Sequence, residues 1–471
     1  VYGLACRRTG NIIDAKETMG WAARSLNYRS AAYTQLAEIF MSEGRVDRAL
    51  EYADQALQFN GNNIRAFHIK AVGLRLLDRS KKARQTLGQM LELDPLNHAA
   101  RFELYCLDPG QKNLDAFQSL TRTEIAHETY LELACTYHQL NQTDDAFRLL
   151  DMIQDNPIAR LWKAYLIRSE NPELSRQHLT EAFRLSPSLI FPHRQETIPV
   201  LSWAIEQNPE TWVPRYYLAL IYWSKGRTLE AEQLLASCGQ PEFPPFYAAR
   251  AYFYEDTYPE KARMDYETAV DMDRDSWRYA VRLIDFYLRQ DMEGAALSFG
   301  ERAVNRFPDS TPVRLRWVGA LIEAEKYQEA VDILTQIHAL PSEGATAVRE
   351  MYSSACLQLA IQSYQAQKID TALHYLEKSK EFPENLGTGR PYDPDYRLQD
   401  FLAARFYEKL NQPLEADTYF ERIRDYTLKH WPEKKKYPYI GGLVLNKFGY
   451  SEKAAVLMKG QNPPEELKKL R

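Results

Sequence analysis

The residues able to carry out chemistry are scattered along this chain and form no known catalytic motif. There is no glycine-rich phosphate loop, no Gly-x-Ser-x-Gly elbow, no His-Glu-x-x-His pair and no EF-hand spacing. The nine histidines lie far apart, and the sequence offers no Ser/His/Asp set. We therefore predict no catalytic residues, no cofactor and no enzyme activity within this chain. The activity of a longer parent protein stays open.

The cysteines indicate neither a disulfide framework nor a zinc site. They are odd in number and have no Cys-x-x-Cys spacing, and they lie at Cys6, Cys106, Cys135, Cys238 and Cys356. Four fall inside helical patterns, where a thiol serves as a small core residue. We predict no metal site. A reducing compartment fits this pattern, so a cytoplasmic location is favoured and a periplasmic one is the alternative.

Aromatic and arginine side chains near two irregular stretches give the stronger functional signal. The first stretch, 186–211, carries Phe191, His193, Arg194 and Glu196. For His193 an ordinary loop position is the plainer interpretation. Further candidates follow on later helical patterns, at Tyr216, Trp223, Tyr247, Arg250, Tyr254, Arg278 and Arg289. Such side chains either line a binding surface, where aromatic and arginine anchors often dominate the energy, or simply pack between helices.

A regular alanine spacing predicts the helices that would position these residues. Ala15, Ala49 and Ala83 lie 34 residues apart, as do Ala262, Ala296 and Ala330. A period of 34 is typical of the tetratricopeptide repeat (TPR), in which each unit is a pair of antiparallel helices. We predict an all-α fold, a superhelical TPR solenoid interrupted by two irregular segments.

Residues 30–63 illustrate one repeat. Leu36, Ala37 and Phe40 share one face of a first helix by helical spacing. Gly44 suits the turn, where a left-handed backbone is needed. Ala49 begins an alanine stripe on the second helix, which lets the helices approach closely.

Interruptions of the period predict the division of the chain. We expect an N-terminal block at 1–185, an irregular Pro-rich break at 186–211, and a C-terminal block at 212–460 with an irregular loop at 384–396. Residues 461–471 are expected to form a tail. The sequence begins at Val1 inside a helical pattern, so we expect a fragment of a longer chain. Loops that interrupt a regular scaffold often carry function.

Composition excludes several kinds of partner. Hydrophobic residues make up 45% and charged residues 26% of 471 residues, and the net charge is −5. This small charge gives no global field that would attract nucleic acid. No apolar run reaches the roughly 18–20 residues that span a bilayer. We therefore predict no nucleic-acid binding and no membrane insertion.

Four segments resemble one bacterial family whose members carry an N-terminal β-rich domain and a C-terminal TPR array. They are IFPHRQETIPVLSWA (190–204), CGQPEFPPFYAARA (238–251), REMYSSACLQLA (349–360) and EFPENLGTGRP (381–391). The family's N-terminal domain is similar to galactose-mutarotase-like folds. The resemblance implies an upstream β-sandwich domain faced by Arg194, Glu196, Arg250, Glu384, Asn385 and Arg390. Those residues could equally hold the irregular loops in place.

Two functional hypotheses follow. The first is a non-catalytic TPR scaffold that binds a protein, or the adjoining domain, through a concave face lined by aromatic and arginine residues. The second is the accessory half of a carbohydrate-active enzyme, with ligand contacts from loops 190–196 and 384–390. A chaperone-tail adaptor is disfavoured, because no repeat carries the Lys and Asn set that clamps a terminal carboxylate.

Overall fold

The computed structural model describes residues 1–121, 125–341, 346–433 and 436–470. These residues form 28 α-helices and two short 3-10 helices, and no strand lies among them. The chain separates by its internal contacts into two units, unit 1 (Val1–Pro241) and unit 2 (Glu242–Arg471). The predicted all-α class is confirmed.

Unit 1 consists of helices joined mostly by short turns. They are α1 (Tyr2–Arg8), α2 (Ile12–Ala22), α3 (Leu26–Ser42), α4 (Val46–Phe59), α5 (Ile64–Leu76), α6 (Ser80–Leu93), α7 (His98–Leu107), α8 (Gln111–Gln118), α9 (Ala126–Gln139), α10 (Thr143–Asp151), α11 (Pro157–Leu166), α12 (Pro172–Arg184), α13 (Ile198–Gln207), α14 (Val213–Ser224) and α15 (Thr228–Ala236).

Unit 2 continues the same pattern. Its helices are α16 (Pro244–Tyr254), α17 (Pro259–Met272), α18 (Trp277–Arg289), α19 (Glu293–Arg306), α20 (Thr311–Glu323), α21 (Tyr327–Leu334), α22 (Ala347–Gln365), α23 (Ile369–Lys378), α24 (Arg397–Lys409), α25 (Pro413–Lys429), α26 (Pro438–Lys447), α27 (Ser451–Met458) and α28 (Glu465–Lys468).

The alanine stripe lies at the contact between paired helices. Ala49, Ala53 and Ala56 of α4 are fully buried, and so is Ala83 at the equivalent position of α6. Small side chains allow the backbones of crossing helices to come close without a cavity. The paired-helix arrangement predicted for residues 30–63 is therefore confirmed by α3 and α4.

A left-handed residue recurs in the turn within many pairs. Gly10, Gly44 and Asp78, each 34 residues after the last, have φ of 79°, 73° and 56°. In unit 2, Asp291 and Glu325 adopt φ of 53° and 55° at the same interval. This conformation favours glycine, so its persistence at Asp78, Asp291 and Glu325 shows that the turn geometry outweighs the local preference.

Asparagine side chains start several of the helices. Asn63 Oδ1 accepts a hydrogen bond from the Ala66 amide at 3.0 Å, and Asn97, 34 residues later, accepts one from Ala100 at 3.0 Å. Each bond satisfies an amide that the first turn of a helix leaves without a backbone partner.

The two predicted irregular segments are present. Between α12 and α14 the chain forms a 3-10 turn at Gln195–Thr197 and the single helix α13, rather than a helix pair. Between α23 and α24 it forms a 3-10 turn at Glu384–Leu386 within irregular backbone. The segment 186–211 lies inside unit 1, and the proposed block boundaries stay a prediction.

The C-terminal residues contact an earlier helix of unit 2. The predicted tail contains α28, and Gln365 Nε2 of α22 donates to the Lys469 carbonyl oxygen at 2.8 Å. Among the described residues, no helix has the length and apolar character needed to cross a bilayer.

Candidate functional site

The first irregular segment closes a cavity on unit 1. Residues of this segment face α9 and α11 around a space of about 220 Å³, which we name the 189–197 cavity. Its lining comprises Ile125, His127, Glu128, Leu131, Asn156, Ile158, Leu189, Ile190, Phe191, Pro192, His193, Arg194 and Thr197. Three predicted site residues, Phe191, His193 and Arg194, therefore share one cavity.

Polar contacts fix the segment against the helices. Arg194 forms an ion pair with the Glu128 carboxylate, and its Nη2 donates to the Glu128 carbonyl oxygen at 3.1 Å. Thr197 lies three residues after Arg194 in the same segment. Its Oγ1 accepts a hydrogen bond from Trp162 Nε1 of α11 at 3.2 Å. These bonds fix the C-terminal half of the segment, at Arg194 and Thr197, to α9 and α11.

Glu196 also contacts a helix of its own unit. Its Oε1 accepts a hydrogen bond from Gln139 Nε2 of α9 at 3.4 Å. Of the candidates in this segment, Arg194 and Glu196 thus serve at least to anchor the loop, which is the structural alternative the sequence left open.

The rim of the cavity is apolar and open to solvent, whereas its floor is buried. Leu189 is 84% exposed and Phe191 is 69% exposed, while Leu131 and Ile158 are buried beneath them. Leu189 also adopts φ of 61°, which is unusual for a bulky residue and is typical of strained functional loops. His193 is exposed, with Nδ1 3.4 Å from the Phe191 carbonyl oxygen.

The structure buries most of the predicted aromatic candidates on later helices. Tyr216 of unit 1, and Tyr247 and Tyr254 of unit 2, are all buried, and Trp223 is half-buried. Burial is what packing between helices would produce. Their role in ligand binding stays a prediction.

Arginine candidates in unit 2 fall into two groups. Arg250 is buried, and its Nε and Nη2 each donate to the Asp265 carboxylate at 2.8 Å. Arg289 is exposed and pairs with Glu255, whose Oε1 lies 2.7 Å from Nη2. Arg278 is also exposed, and its guanidinium lies 4.6 Å from the ring centre of Trp277.

In the second irregular segment, Asn385 has a clear structural contact. Its Nδ2 donates to the carbonyl oxygens of Ile337 at 2.7 Å and Leu334 at 3.0 Å, at the end of α21. Glu384 and Arg390 are exposed. Of the three candidates in this segment, Asn385 therefore anchors the backbone, and Glu384 and Arg390 are charged side chains that face solvent.

Sequence reasoning missed a buried network in unit 1. Arg75 Nε and Nη2 donate to the two Glu103 oxygens at 2.8 and 3.0 Å, and Nη2 also donates to Asp145 Oδ2 at 2.6 Å. Tyr137 donates its hydroxyl to Glu103 Oε1 at 2.8 Å. Full burial raises the pKa of Glu103 above its ordinary value, and Arg75 and Tyr137 act against that rise.

This network also contains a set of atoms that could bind a metal. Donor atoms of Glu103, Cys106 and Asp145 lie within 4.8 Å of one another. The Arg75 guanidinium already bonds both carboxylates, so the cationic position is filled by the protein itself. Burial, followed by the two nearby carboxylates, raises the pKa of the Cys106 thiol, which makes it a poor nucleophile.

Comparison with known proteins supports the class of fold. Residues 30–63 match the tetratricopeptide repeat model. The described residues form an all-α array of repeated helix pairs, and the matched residues span most of the pair α3–α4. The family-level resemblance to bacterial proteins with an upstream mutarotase-like domain stays a prediction.

Several solved structures are similar to this chain. YrrB, described as a TPR protein with an unusual peptide-binding site, is 18% identical, with 38% of this chain and 90% of that chain covered and a TM-score of 0.30. Yeast Tom70 is 14% identical over 100% of this chain and 99% of that chain, with a TM-score of 0.28. The type IV pilus biogenesis factor PilW is 15% identical over 47% and 94%, with a TM-score of 0.29. Similarity at this level carries no functional conclusion.

Proposed function

We propose that this chain is a non-catalytic scaffold that binds another protein, and that the 189–197 cavity receives an apolar side chain of that partner. The observation that carries the proposal is the exposed Leu189 and Phe191 beside a cavity floored by Leu131 and Ile158. Fully burying one leucine or phenylalanine side chain of a partner contributes about 1.5–3 kcal/mol. Repeat scaffolds use such surfaces to hold extended partners.

Rigidity supports the same proposal. The Arg194–Glu128 pair and the Trp162–Thr197 hydrogen bond keep the irregular segment in one place before a partner arrives. A preorganised wall reduces the ordering cost of binding. The wider hypothesis of aromatic and arginine binding residues retains partly exposed Trp223 in unit 1 and, separately, exposed Arg278 and Arg289 in unit 2.

A peptide selection tests this proposal. Peptides displayed on phage are selected against the whole chain, and the affinity of a selected peptide is measured by fluorescence anisotropy. We expect Phe191→Ser to weaken binding by about tenfold, which corresponds to about 1.4 kcal/mol. The matched control is Leu229→Ser on α15, because Leu229 is 71% exposed and lies outside the cavity. Equal affinities for the two variants would contradict the proposal.

The accessory half of a carbohydrate-active enzyme is the second candidate. The exposed His193 in one loop, and Glu384 and Arg390 in the other, offer polar groups suited to sugar hydroxyls. A glycan array probed with the whole chain separates the candidates. Binding of an oligosaccharide without selection of any peptide would favour this second function, as would loss of that binding in Arg390→Ala.

A further inference from the structure

Unit 1 contains a second cavity that no sequence motif predicted. It occupies about 410 Å³ and is bounded by first helices of successive pairs, α5, α7 and α9, with Met90 of α6. We name it the α5–α7–α9 cavity. Its polar lining includes Arg65, His68, His98, Thr129, Glu132 and Thr136.

Arg65 is held in this cavity as a hydrogen-bond donor. Its Nε donates to Glu38 Oε1 at 2.6 Å, and its Nη1 lies 3.4 Å from Thr136 Oγ1. Glu38 is buried and also pairs with Arg7. These hydrogen bonds therefore fix one edge of the Arg65 guanidinium. The Arg65 side chain as a whole is 35% exposed to solvent.

His68 supplies an acceptor, as its hydrogen-bond chain shows. Tyr137 donates its only hydroxyl proton to the Glu103 carboxylate at 2.8 Å. The Tyr137 oxygen must then accept from His68 Nε2, which lies 3.2 Å away. A neutral imidazole protonated at Nε2 has a lone pair at Nδ1.

The electrostatic surroundings keep His68 neutral. Burial, and then the positive charges of Arg65 and Arg75, lowers the pKa of His68 to about 3. The ring is only 2% exposed and forms part of the cavity wall. His68 thus keeps its lone pair throughout the physiological pH range.

His98 also lines this cavity. His98 Nδ1 is buried and has no hydrogen-bond partner in the part of the chain that the structure describes. A buried polar atom without a partner is costly, and a ligand that bonds it recovers that cost.

These groups select the charge of a ligand. An ammonium group would be repelled by the positive charge of the Arg65 guanidinium. A carboxylate would be repelled by the His68 lone pair and by the exposed Glu132. A carboxamide presents both a carbonyl oxygen, for Arg65, and an N–H group, for the imidazole lone pair. Arg65 and His68 are also three residues apart on α5, which places them as neighbours on one helix face.

We propose that the α5–α7–α9 cavity binds a carboxamide, as presented by an Asn or Gln side chain of a protein partner. This proposal concerns a different cavity from the 189–197 cavity and does not rest on it. Arg65 donates to the amide oxygen, and the His68 lone pair accepts from the amide nitrogen.

Small probes test the proposal on the whole chain. Histidines are labelled with ¹³C at Cε1, assigned by single His→Gln substitutions, and followed by NMR during titration with acetamide or with sodium acetate. Acetamide is expected to shift the His68 and His98 signals saturably. His178 is the control, because it is a buried histidine that lies outside this cavity and whose Nδ1, 3.6 Å from Glu181 Oε2, has no hydrogen-bond partner among the described residues.

A substitution completes the test. Arg65→Met is expected to weaken acetamide binding by about tenfold, since it removes a charged donor, and the exposed Arg48→Met serves as its matched control. If Arg65→Met fails to fold, the comparison of acetamide with acetate decides alone. Larger shifts with acetate, equal shifts at His178, or no saturable shift with acetamide would each overturn the proposal.

Discussion

The side-chain amide of Asn385 lies 2.7 Å from the carbonyl oxygen of Ile337, 48 residues earlier in the chain. The backbone joins in the opposite direction, because the Ala339 amide donates to the Asn385 carbonyl oxygen at 2.8 Å. Helix ends leave carbonyl groups without partners, and Asn385 satisfies those that follow α21. The irregular second segment is thus fastened to a helix that precedes it by a full helix pair.

Asn385→Ala is expected to lower the free energy of unfolding by about 1–3 kcal/mol, because it removes the side-chain donor of the Ile337 carbonyl oxygen and one of the two donors to the Leu334 carbonyl oxygen. Glu384→Ala, at the exposed neighbouring position, should change it by no more than about 0.5 kcal/mol. Urea unfolding followed by circular dichroism measures both. Comparable stability of the two variants would show that the Asn385 contacts contribute little.

Arg75→Met is expected to cost about 3–5 kcal/mol, since it leaves the Glu103 carboxylate buried without its cation and removes the shorter of the two ion pairs of Asp145, the other being with Arg148 at 3.7 Å. Both carboxylates are nearly inaccessible, at 0% and 7% side-chain exposure. Arg48→Met is the control, because the Arg48–Glu51 pair is 56% exposed on both sides and such pairs contribute little. The thermal unfolding midpoints of Arg75→Met and Arg48→Met are compared. Similar midpoints would contradict the claim that Arg75 stabilises the buried carboxylates.

Gly300→Ala and Gly88→Ala should have opposite effects on stability. A Cβ at Gly300 would lie 2.6 Å from Cδ1 of Trp317, whereas one at Gly88 would meet nothing within 4 Å. We expect Gly300→Ala to destabilise by about 1–3 kcal/mol through overpacking. Gly88→Ala, inside α6, should stabilise by up to about 1 kcal/mol through helix propensity. The denaturant midpoints of the two variants and the wild type measure these effects. A stabilising effect of Gly300→Ala would mean that the Trp317 side chain moves aside without cost.

Glu38 is expected to make stability depend on pH in the acid range. Burial would raise its pKa, but Arg65 and Arg7 together lower it below its ordinary value. The ionised Glu38 carboxylate therefore contributes its full stabilisation when the pH is above the ordinary glutamate pKa. This stabilisation is lost as the pH falls through the lowered pKa of Glu38 in the folded chain. Unfolding free energies between about pH 7 and about pH 3 should fall more steeply for the wild type than for Glu38→Gln.

Glu51→Gln is the matched control for the pH measurement, because Glu51 is an exposed partner of Arg48. Its pH profile should parallel that of the wild type. If the unfolding free energy of Glu38→Gln also follows the pH profile of the wild type, the Glu38 carboxylate does not make stability depend on pH.

The sequence was most informative where one residue type repeats. Ala49, Ala83 and Ala262 were predicted to lie between paired helices, and all three are fully buried. The prediction succeeded because close helix crossing imposes the same small side chain at each repeat. Both irregular segments could be located for the same reason, since they break the period.

Charged residues inside the core could not be predicted in this way. Glu103 and Asp145 are buried by partners from other helices, and a pattern of hydrophobic spacing gives no signal for a polar core position. Tyr216, Tyr247 and Tyr254 show the converse difficulty. The sequence left open whether they line a surface or pack between helices, and all three are buried, because local spacing does not determine what covers a side chain.

The left-handed turns at Gly10, Gly44 and Asp78 allow whole repeats to be removed or added. Deleting residues 45–78 would join Gly44 directly to Arg79, so that α6 would follow α3 through a turn that still ends in a left-handed residue. Ala83 would then take the place of Ala49 against α3. A deletion one residue longer or shorter would rotate the second helix by about 100° and turn its alanine stripe away. Around Gly44 and Asp78, the length of this array is therefore expected to be adjustable in steps of one complete period.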